Sequence, residues 1–465
     1  MKTIPNQIIS NKLLIINSMV TLVYLSWWFY LPHVGNIYLY GLLLFGELYH
    51  VGMALGFWYT VWNRNKKFEV LSQLEFPKVS IFITVAGEPA EIVRQTVRAA
   101  KEMDYPNFEV VILNDGYVAK KENWMDMERL AYSMDVKCIT RKVGGGAKAG
   151  NINNALKKVD SEYVALLDSD MIPHPDFLAK LMPYFADEKV GFVQSPQFYK
   201  NYEVNNITGG SWEQQSFFFG PIMEGKNRLN SAFICGTNVV IKKRALEQVG
   251  GFYQDTVAED FLTSLFIHQK GWKSVYMPEV LCEGLAPEDL LSYFKQQNRW
   301  ARGSMEIMFT HNPLFKKGLT FAQRIQYLLS ALYYINGLVV LIDISMPLFY
   351  LYFGLEPVSA STTSFALFFI PYISLTLYTI YLASGKNITF RSMSFSTASF
   401  MIQLSALWSI LRRQESKFVV TPKQQQEGNF LYLIYPHLTY IALSMIRFIL
   451  NITKYSGPAI YTNTA

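Results

Sequence analysis

Residues 13–35, LLIINSMVTLVYLSWWFYLPHVG, contain no Asp, Glu, Lys or Arg. A stretch of that length and polarity fits the hydrocarbon core of a bilayer. Backbone amides there must be bonded within the protein, so a lone segment has to be a helix. The feature recurs along the chain. Residues 37–62 are interrupted only by Glu47 and His50, residues 325–353 only by Asp343, and residues 357–385 by nothing charged. Residues 430–453 form a further run. These stretches predict membrane-spanning helices at both ends of the chain.

The charges between them orient the spans. Lys2 and Lys12 precede the first, and Arg64, Lys66 and Lys67 follow the second, whereas residues 32–36 carry no formal charge. The bias of Lys and Arg to cytoplasmic flanks puts both outer ends of this helix pair inside. The loop GLEPVSAST has one acid and no base, and reads as external. Residues 392–411 are uncharged, but Ser392, Ser396, Ser399 and Gln403 fall on one side, with Phe400, Leu404, Leu407, Trp408 and Leu411 on the other. That pattern predicts a helix lying in the interface. It also keeps the basic residues Arg412, Arg413, Lys417 and Lys423 on the cytoplasmic side. The resulting odd number of crossings implies an external C-terminus or a chain that continues past Ala465. No small-residue cleavage site follows the first apolar run, so it is not read as a removable signal.

Between Lys78 and Arg302 the character changes. KVSIFITV, FEVVILND, VKCITRK and SEYVALLDSD are strand-like runs separated by segments of helical spacing. That alternation predicts an α/β domain with a parallel sheet covered on both faces. Ligands on such sheets sit beyond the carboxyl ends of the strands, where Glu88, Asp115, Asp168 and Asp170 fall. The composition suits a mixed protein: 51% hydrophobic and 15% aromatic residues, with mean hydropathy +0.13. The net charge of +6 comes without any block of Lys and Arg interleaved with aromatics, which argues against nucleic acid as a partner. Cys138, Cys235 and Cys282 form no C-x-x-C pair, so neither a disulfide framework nor a zinc site is expected.

Several short motifs carry chemistry. On a helix, Gln296, Arg299 and Trp300 share one face. They offer an amide, a guanidinium fork suited to a diphosphate, and an indole suited to the C–H face of a sugar. Asp168-Ser169-Asp170 ends a strand with two hard carboxylates that can hold Mg²⁺ or Mn²⁺ together with a diphosphate; otherwise the two cap the following helix. Glu259-Asp260 opens another helix. There a carboxylate can act as a general base or merely complement the helix dipole. Lys148, in GGGAKAGN, lies among glycines at a helix start, where an anion is favoured. Cys235-Gly236-Thr237-Asn238 reads as a small-residue turn. Phe418, Thr421 and Lys423 lie in a polar loop that could close over a nucleotide.

In order, the motifs are Asn114-Asp115-Gly116, Lys148-Ala149-Gly150-Asn151, Asp168-Ser169-Asp170, Cys235-Gly236, Glu259-Asp260, Gln296-x-x-Arg299-Trp300 and Phe418-x-Val420-Thr421-x-Lys423. This series resembles the processive, membrane-integrated family 2 glycosyltransferases, and most closely the bacterial cellulose synthase branch. The resemblance implies a GT-A type α/β domain inserted between transmembrane and interfacial helices. It divides the chain into a helix pair (1–67), a cytosolic transferase domain (68–310), transmembrane and interfacial helices (311–411), a gating loop (412–428) and a last transmembrane helix (429–465).

The resemblance also implies roles. Asp260, with Glu259, would be the catalytic base. Glu88, Asp115, Lys148, Asp168, Gln296, Arg299, Phe418, Thr421 and Lys423 would hold the UDP-sugar donor. Asp168 and Asp170 would take Mg²⁺ or Mn²⁺. Cys235 and Trp300 would receive the growing polysaccharide. The activity implied is elongation of a β-linked glucan, cellulose or mixed-linkage, from UDP-glucose, with secretion across the plasma membrane. A mannan, chitin or hyaluronan-type synthase, or a transferase acting on a lipid carrier, shares much of this pattern. Three positions depart from the family: Ala258 replaces a threonine, Asn114 an aspartate and Ala86 a tyrosine. With this sequence ending soon after the last span, the cyclic-di-GMP-sensing domain found in many bacterial cellulose synthases is not expected within it.

Overall fold

The computed structural model describes residues 4–63, 76–414, 426 and 428–454. The middle of the chain builds a seven-stranded sheet and a three-stranded one. The strands are β1 (Val79–Val85), β2 (Phe108–Asn114), β3 (Lys137–Thr140), β4 (Tyr163–Asp168), β5 (Ile172–Pro173), β6 (Val190–Gln194), β7 (Phe198–Tyr199), β8 (Val239–Lys242), β9 (Lys273–Tyr276) and β10 (Cys282–Gly284). The large sheet runs β3-β2-β1-β4-β8-β6-β9, and the small one β5-β10-β7.

All seven residues of β1 are buried, which is why its sequence is apolar apart from Ser80 and Thr84, whose hydroxyls are hydrogen-bonded. Ile81, Ile83 and Val85 pack with Val93 and Val97 of the helix Ala90–Lys101. Phe82 packs on the other face with Ile152 and Ala155 of the helix Ala147–Leu156. The sheet is therefore covered on both sides, as the alternation of elements predicts. It is not wholly parallel. β8 runs antiparallel to both β4 and β6. The chain enters β8 through the turn at 235–238, after the helices Asn206–Phe217 and Met223–Arg228, and a contact across the fold sets its direction. Asn238, at φ 57°, donates its N–H to Leu166 O and so starts β8 against the end of β4.

Five helical runs among the described residues are long and apolar enough to cross a membrane: Ile37–Val61, Phe321–Phe353, Thr362–Ala383, Phe390–Leu411 and Leu431–Leu450. This set differs from expectation at two places. Residues 13–35 are not one helix. The helix Asn11–Trp27 has 17 residues, and a separate short turn at Leu31–His33 carries Pro32. Proline cannot continue the helix. The helix instead packs on Thr362–Ala383, where Asn17 Nδ2 donates to Thr379 Oγ1 at 2.8 Å.

The run Phe390–Leu411 qualifies by length, yet it breaks at Ser399 and docks on the α/β domain. Glu213, 4% exposed at its side chain, accepts bonds from Arg391 Nε (3.0 Å), Thr389 Oγ1 (2.6 Å) and Ser392 N (3.1 Å). Asn298 Nδ2 donates to Ser405 Oγ at 2.7 Å. The polar side, Ser392, Ser399 and Gln403, is buried, and Trp408 and Leu411 are exposed. Phe400 departs from the expected faces: it is buried, with its ring against His437.

Candidate active site

The helix Leu290–Thr310 brings the two halves of the site together. Asp289 caps it, accepting from Ser292 N at 2.8 Å. Gly303 lies against Ala258, and a Cβ on Gly303 would fall 2.5 Å from that of Ala258. The small residue where the family has threonine therefore lies against the Gln296-Arg299-Trp300 helix, next to Glu259 and Asp260. All three residues of that helix line the same cavity as Glu259 and Asp260.

Glu259 and Asp260 occupy the first turn of the helix Glu259–Gln269. Asp260 Oδ1 accepts Phe261 N–H at 2.7 Å. Its Oδ2 faces Gly236, where a built Cβ would lie 3.1 Å away and 3.7 Å from Lys148 Nζ. Gly236 has φ 79°, so both its conformation and the space beside it call for glycine. Lys148 Nζ donates to Gly236 O at 2.9 Å and forms an ion pair with Asp168. Asp168 Oδ1 also accepts from Thr84 Oγ1 at 3.3 Å, and its N–H donates to Thr237 Oγ1 at 2.9 Å. Asp168, Lys148, Gly236 and Asp260 thus meet at one point, from four separate stretches of sequence.

Burial dominates the electrostatics here. It raises the Glu259 carboxyl to about 7, with the neighbouring Asp260 adding to the rise and Lys148 and Arg299 opposing it. Burial also raises Asp260, against the Phe261 N–H, Lys148 and Arg299. Burial opposes charge on Lys148, but Asp168, Glu259 and Asp260 outweigh it and hold the ammonium above its usual value. A carboxylate raised toward neutrality, beside a cation, suits a group that must take up a proton.

The other expected residues are placed with different outcomes. Asp115 lies at the end of β2, but Arg141 occupies its carboxylate: Nε to Oδ1 at 2.7 Å and Nη2 to Oδ2 at 2.6 Å. Arg141 also donates to Gly145 O and to Ala147 O, so it fixes the glycine loop before Lys148. Glu88 turns back on its own strand end and accepts Ala86 N–H at 2.6 Å. Cys235 is anchored by its N–H to Gln194 Oε1 at 2.9 Å, and burial pushes its thiol up, which keeps it neutral. Asp168 lines the cavity, while Asp170, 3% exposed, has Oδ2 3.4 Å from Leu285 N. Gln296 Oε1 has no hydrogen-bond partner among the described residues. Phe418, Thr421 and Lys423 lie outside the described residues. The residues flanking that loop are tied to the Gln296-Arg299-Trp300 helix: Arg302 donates to Gln414 O, and Gln426 N donates to Asp289 Oδ2 at 3.1 Å.

A cavity of about 1200 Å³ runs from this point into the membrane helices. Its wall includes Lys148, Asp168, Asp260, Arg299 and Trp300, and continues to Tyr333, Tyr334, Asn336 and Asp343. Residues 77–303 match the family model described as glycosyltransferase like family 2, and residues 247–392 match that of cellulose synthase. Over residues 77–392 the chain is similar to the family 2 glycosyltransferases.

It is 36% identical over 305 residues to a cellulose synthase catalytic subunit (UDP-forming) of Xanthomonas axonopodis pv. citri, covering 63% of this chain and 41% of that protein. It is 32% identical over 391 residues to the corresponding protein of Pseudomonas fluorescens, covering 80% and 52%. The chain thus spans about half of these relatives' length, or less. A mannosyltransferase from Pyrobaculum calidifontis, solved in complex with GDP-Man and Mn²⁺, superposes with TM-score 0.60 at 18% identity, covering 81% of this chain and 100% of that one. The last likeness shows the GT-A type fold alone.

Three residues of this glycosyltransferase site escaped the motifs. Arg141 follows β3 in a stretch that reads only as basic. Gln194 sits inside β6 and braces the 235–238 turn through Thr237 O and Asn238 O. Lys226, 2% exposed, lies in the cavity wall and donates to Gln326 O at 2.7 Å; burial lowers its ammonium to about 7. Each depends on a partner far away in sequence.

Proposed function

We propose that this chain is a processive, inverting glycosyltransferase that elongates a β-linked glucan from UDP-glucose and passes it across the membrane through its own helices. The observation that carries the reading is the continuity of the cavity. A transferase that released its product to water would need no passage from Asp260, past Trp300, to Asp343.

Asp260 takes the proton from the acceptor hydroxyl as that oxygen bonds to the anomeric carbon. The bond from that carbon to the diphosphate oxygen breaks, and UDP leaves with the electron pair. Attack on the face opposite the diphosphate inverts the anomeric centre. Arg299 presents a guanidinium fork to the diphosphate, and Lys148 exchanges part of its contact with Asp168 for it. Trp300 stacks under the acceptor ring and keeps its hydroxyl near Asp260. Asp168 and Asp170 are hard oxygen donors one residue apart. Among the described residues no group of three or more His, Cys, Asp or Glu could hold a metal ion by itself. That donor set fits Mg²⁺ or Mn²⁺, which is commonly held by one or two carboxylates plus substrate phosphates. When bound, the ion neutralises charge on the leaving diphosphate.

The α/β domain faces the cytoplasm, where the UDP-sugar is made, and the flanking Lys and Arg support that orientation. The run Phe390–Leu411 lies along the interface, with its bonded polar side on the domain. Digestion of the product made by the purified chain with linkage-specific glycanases tests the sugar and linkage. A β-1,4-glucanase should release it; resistance to that enzyme, with release by a mannanase, chitinase or hyaluronidase, would replace glucan in this reading.

A further inference from the structure

The membrane part of the cavity has a composition that the transfer reaction does not require. Along the helix Ile37–Val61, Glu47, His50 and Trp58 all lie in the cavity wall. They span about 16 Å of helix axis at 1.5 Å per residue. Asp343 faces them from the run Phe321–Phe353, with its Oδ2 4.0 Å from His50 Nε2. Gly46 leaves room for this approach: a Cβ there would fall 3.3 Å from Asp343 Oδ1. Trp58, 2% exposed, has an indole N–H with no hydrogen-bond partner among the described residues. Tyr372, from Thr362–Ala383, completes this part of the wall with a ring and a hydroxyl.

Carboxylates, imidazole, indole N–H and phenol together accept and donate many hydrogen bonds. Ionisable groups at membrane depth ordinarily face such a cavity. Among the described wall residues contributed by the membrane helices there is no Lys or Arg. Lys148, Arg141, Arg299 and Lys226 all come from the α/β domain, and the Lys226 ammonium is already bonded to Gln326 O. A chain of neutral sugars finds acceptors for its hydroxyls here. A chain bearing carboxylates meets two carboxyl groups and, apart from the His50 imidazole already facing Asp343, no basic side chain of these helices, in a region of low dielectric where an unpaired charge is costly.

We infer that Glu47, His50, Trp58 and Asp343 form a sugar-binding station inside the membrane that admits a neutral polysaccharide and rejects an anionic one. The station selects the product class by charge, in addition to any selection of the donor at the catalytic end. This rests on the proposed function only in supposing that a glycan enters the cavity.

The test is equilibrium binding to the full chain in lipid nanodiscs. The probes are a tritiated neutral β-1,4-glucan hexasaccharide and the same oligomer oxidised at every C6 to the uronate. The wild type should bind the neutral oligomer at least about tenfold more tightly, since like charges juxtaposed in such a site disfavour binding. Glu47→Gln with Asp343→Asn, which keep shape and remove both acids, should narrow the ratio to about threefold or less by strengthening uronate binding. Either single amide variant should give an intermediate ratio, which guards against misfolding of the double variant. Equal binding of both oligomers by the wild type, no binding of either, or a ratio unchanged in all three variants would overturn the inference. Incorporation of glucose from UDP-glucose by the same preparations reports separately on the proposed function.

Discussion

Arg141 grips both oxygens of Asp115, Nε to Oδ1 at 2.7 Å and Nη2 to Oδ2 at 2.6 Å. Both side chains are nearly excluded from solvent. Through Arg141, Asp115 therefore anchors the loop that carries Lys148. Arg141→Ala would leave a buried carboxylate without its cation, a change that costs about 3–5 kcal/mol. Thermal unfolding of the detergent-solubilised variant should show that loss, and UDP binding by calorimetry should weaken with it. Wild-type stability and UDP affinity in Arg141→Ala would remove the anchor role.

The base can be tested by an isosteric change. Asp260→Asn keeps the Phe261 N–H contact but cannot accept the proton. Polymer formation should fall by about 10²–10⁴-fold, with UDP binding retained. Loss of donor binding in equal measure would instead make Asp260 part of the donor site.

The raised carboxyls give two pH dependences of opposite sign. The proposed mechanism requires the deprotonated pair, so synthesis should rise with pH through neutrality, following the Glu259–Asp260 pair as one unit. Stability moves the other way. The folded Glu259 carboxyl sits at about 7 against 4.5 for the unfolded group. Its contribution is fully present below about 4.5 and is lost as pH rises through about 7. The effect is at most about 3 kcal/mol. Glu259→Gln should flatten this part of the stability–pH curve between about pH 4.5 and 7; an unchanged curve would contradict the assignment.

The position of a residue is legible in the sequence where it depends on local structure. The strands β1, β2 and β4 are buried on both faces, so their apolar runs mark them directly. Asp168 and Glu259-Asp260 were legible because strand ends and helix starts are local features. Arg141, Gln194 and Lys226 were not, because each takes its meaning from a partner brought in by the fold. Asn114 shows the same limit. In sequence it is only a departure from the family's aspartate, but in place its amide donates to Trp124 O at 2.8 Å and accepts Gly116 N–H at 2.9 Å. A carboxylate could not donate the first of these bonds. The reversed β8 and the break at Ser399 also follow from tertiary contacts that no periodicity records.

Metal removal gives a further outcome. Asp168 and Asp170 would repel a diphosphate unless its charge is neutralised, and Lys148 already serves Asp168. Synthesis should stop in excess EDTA and return with added Mg²⁺ or Mn²⁺. Full activity in metal-free buffer would assign the whole task to Lys148 and Arg299.

Trp300 lines the cavity between the Asp260 end and the membrane helices, and in the proposed mechanism it stacks on the acceptor. Trp300→Ala removes that ring and leaves Arg299 and Asp260 in place. Elongation should fail, whereas UDP binding and slow hydrolysis of UDP-glucose should persist. Polymer of normal length from this variant would end the stacking role.

The central claim is that one chain both makes and moves the polymer. The direct measurement uses the purified chain in sealed proteoliposomes, with labelled UDP-glucose added only on the side of the α/β domain. Label should accumulate as polymer that β-1,4-glucanase attacks only after the vesicles are opened by detergent. Label found solely as free glucose, on lipid, or as polymer fully digestible without detergent would contradict it.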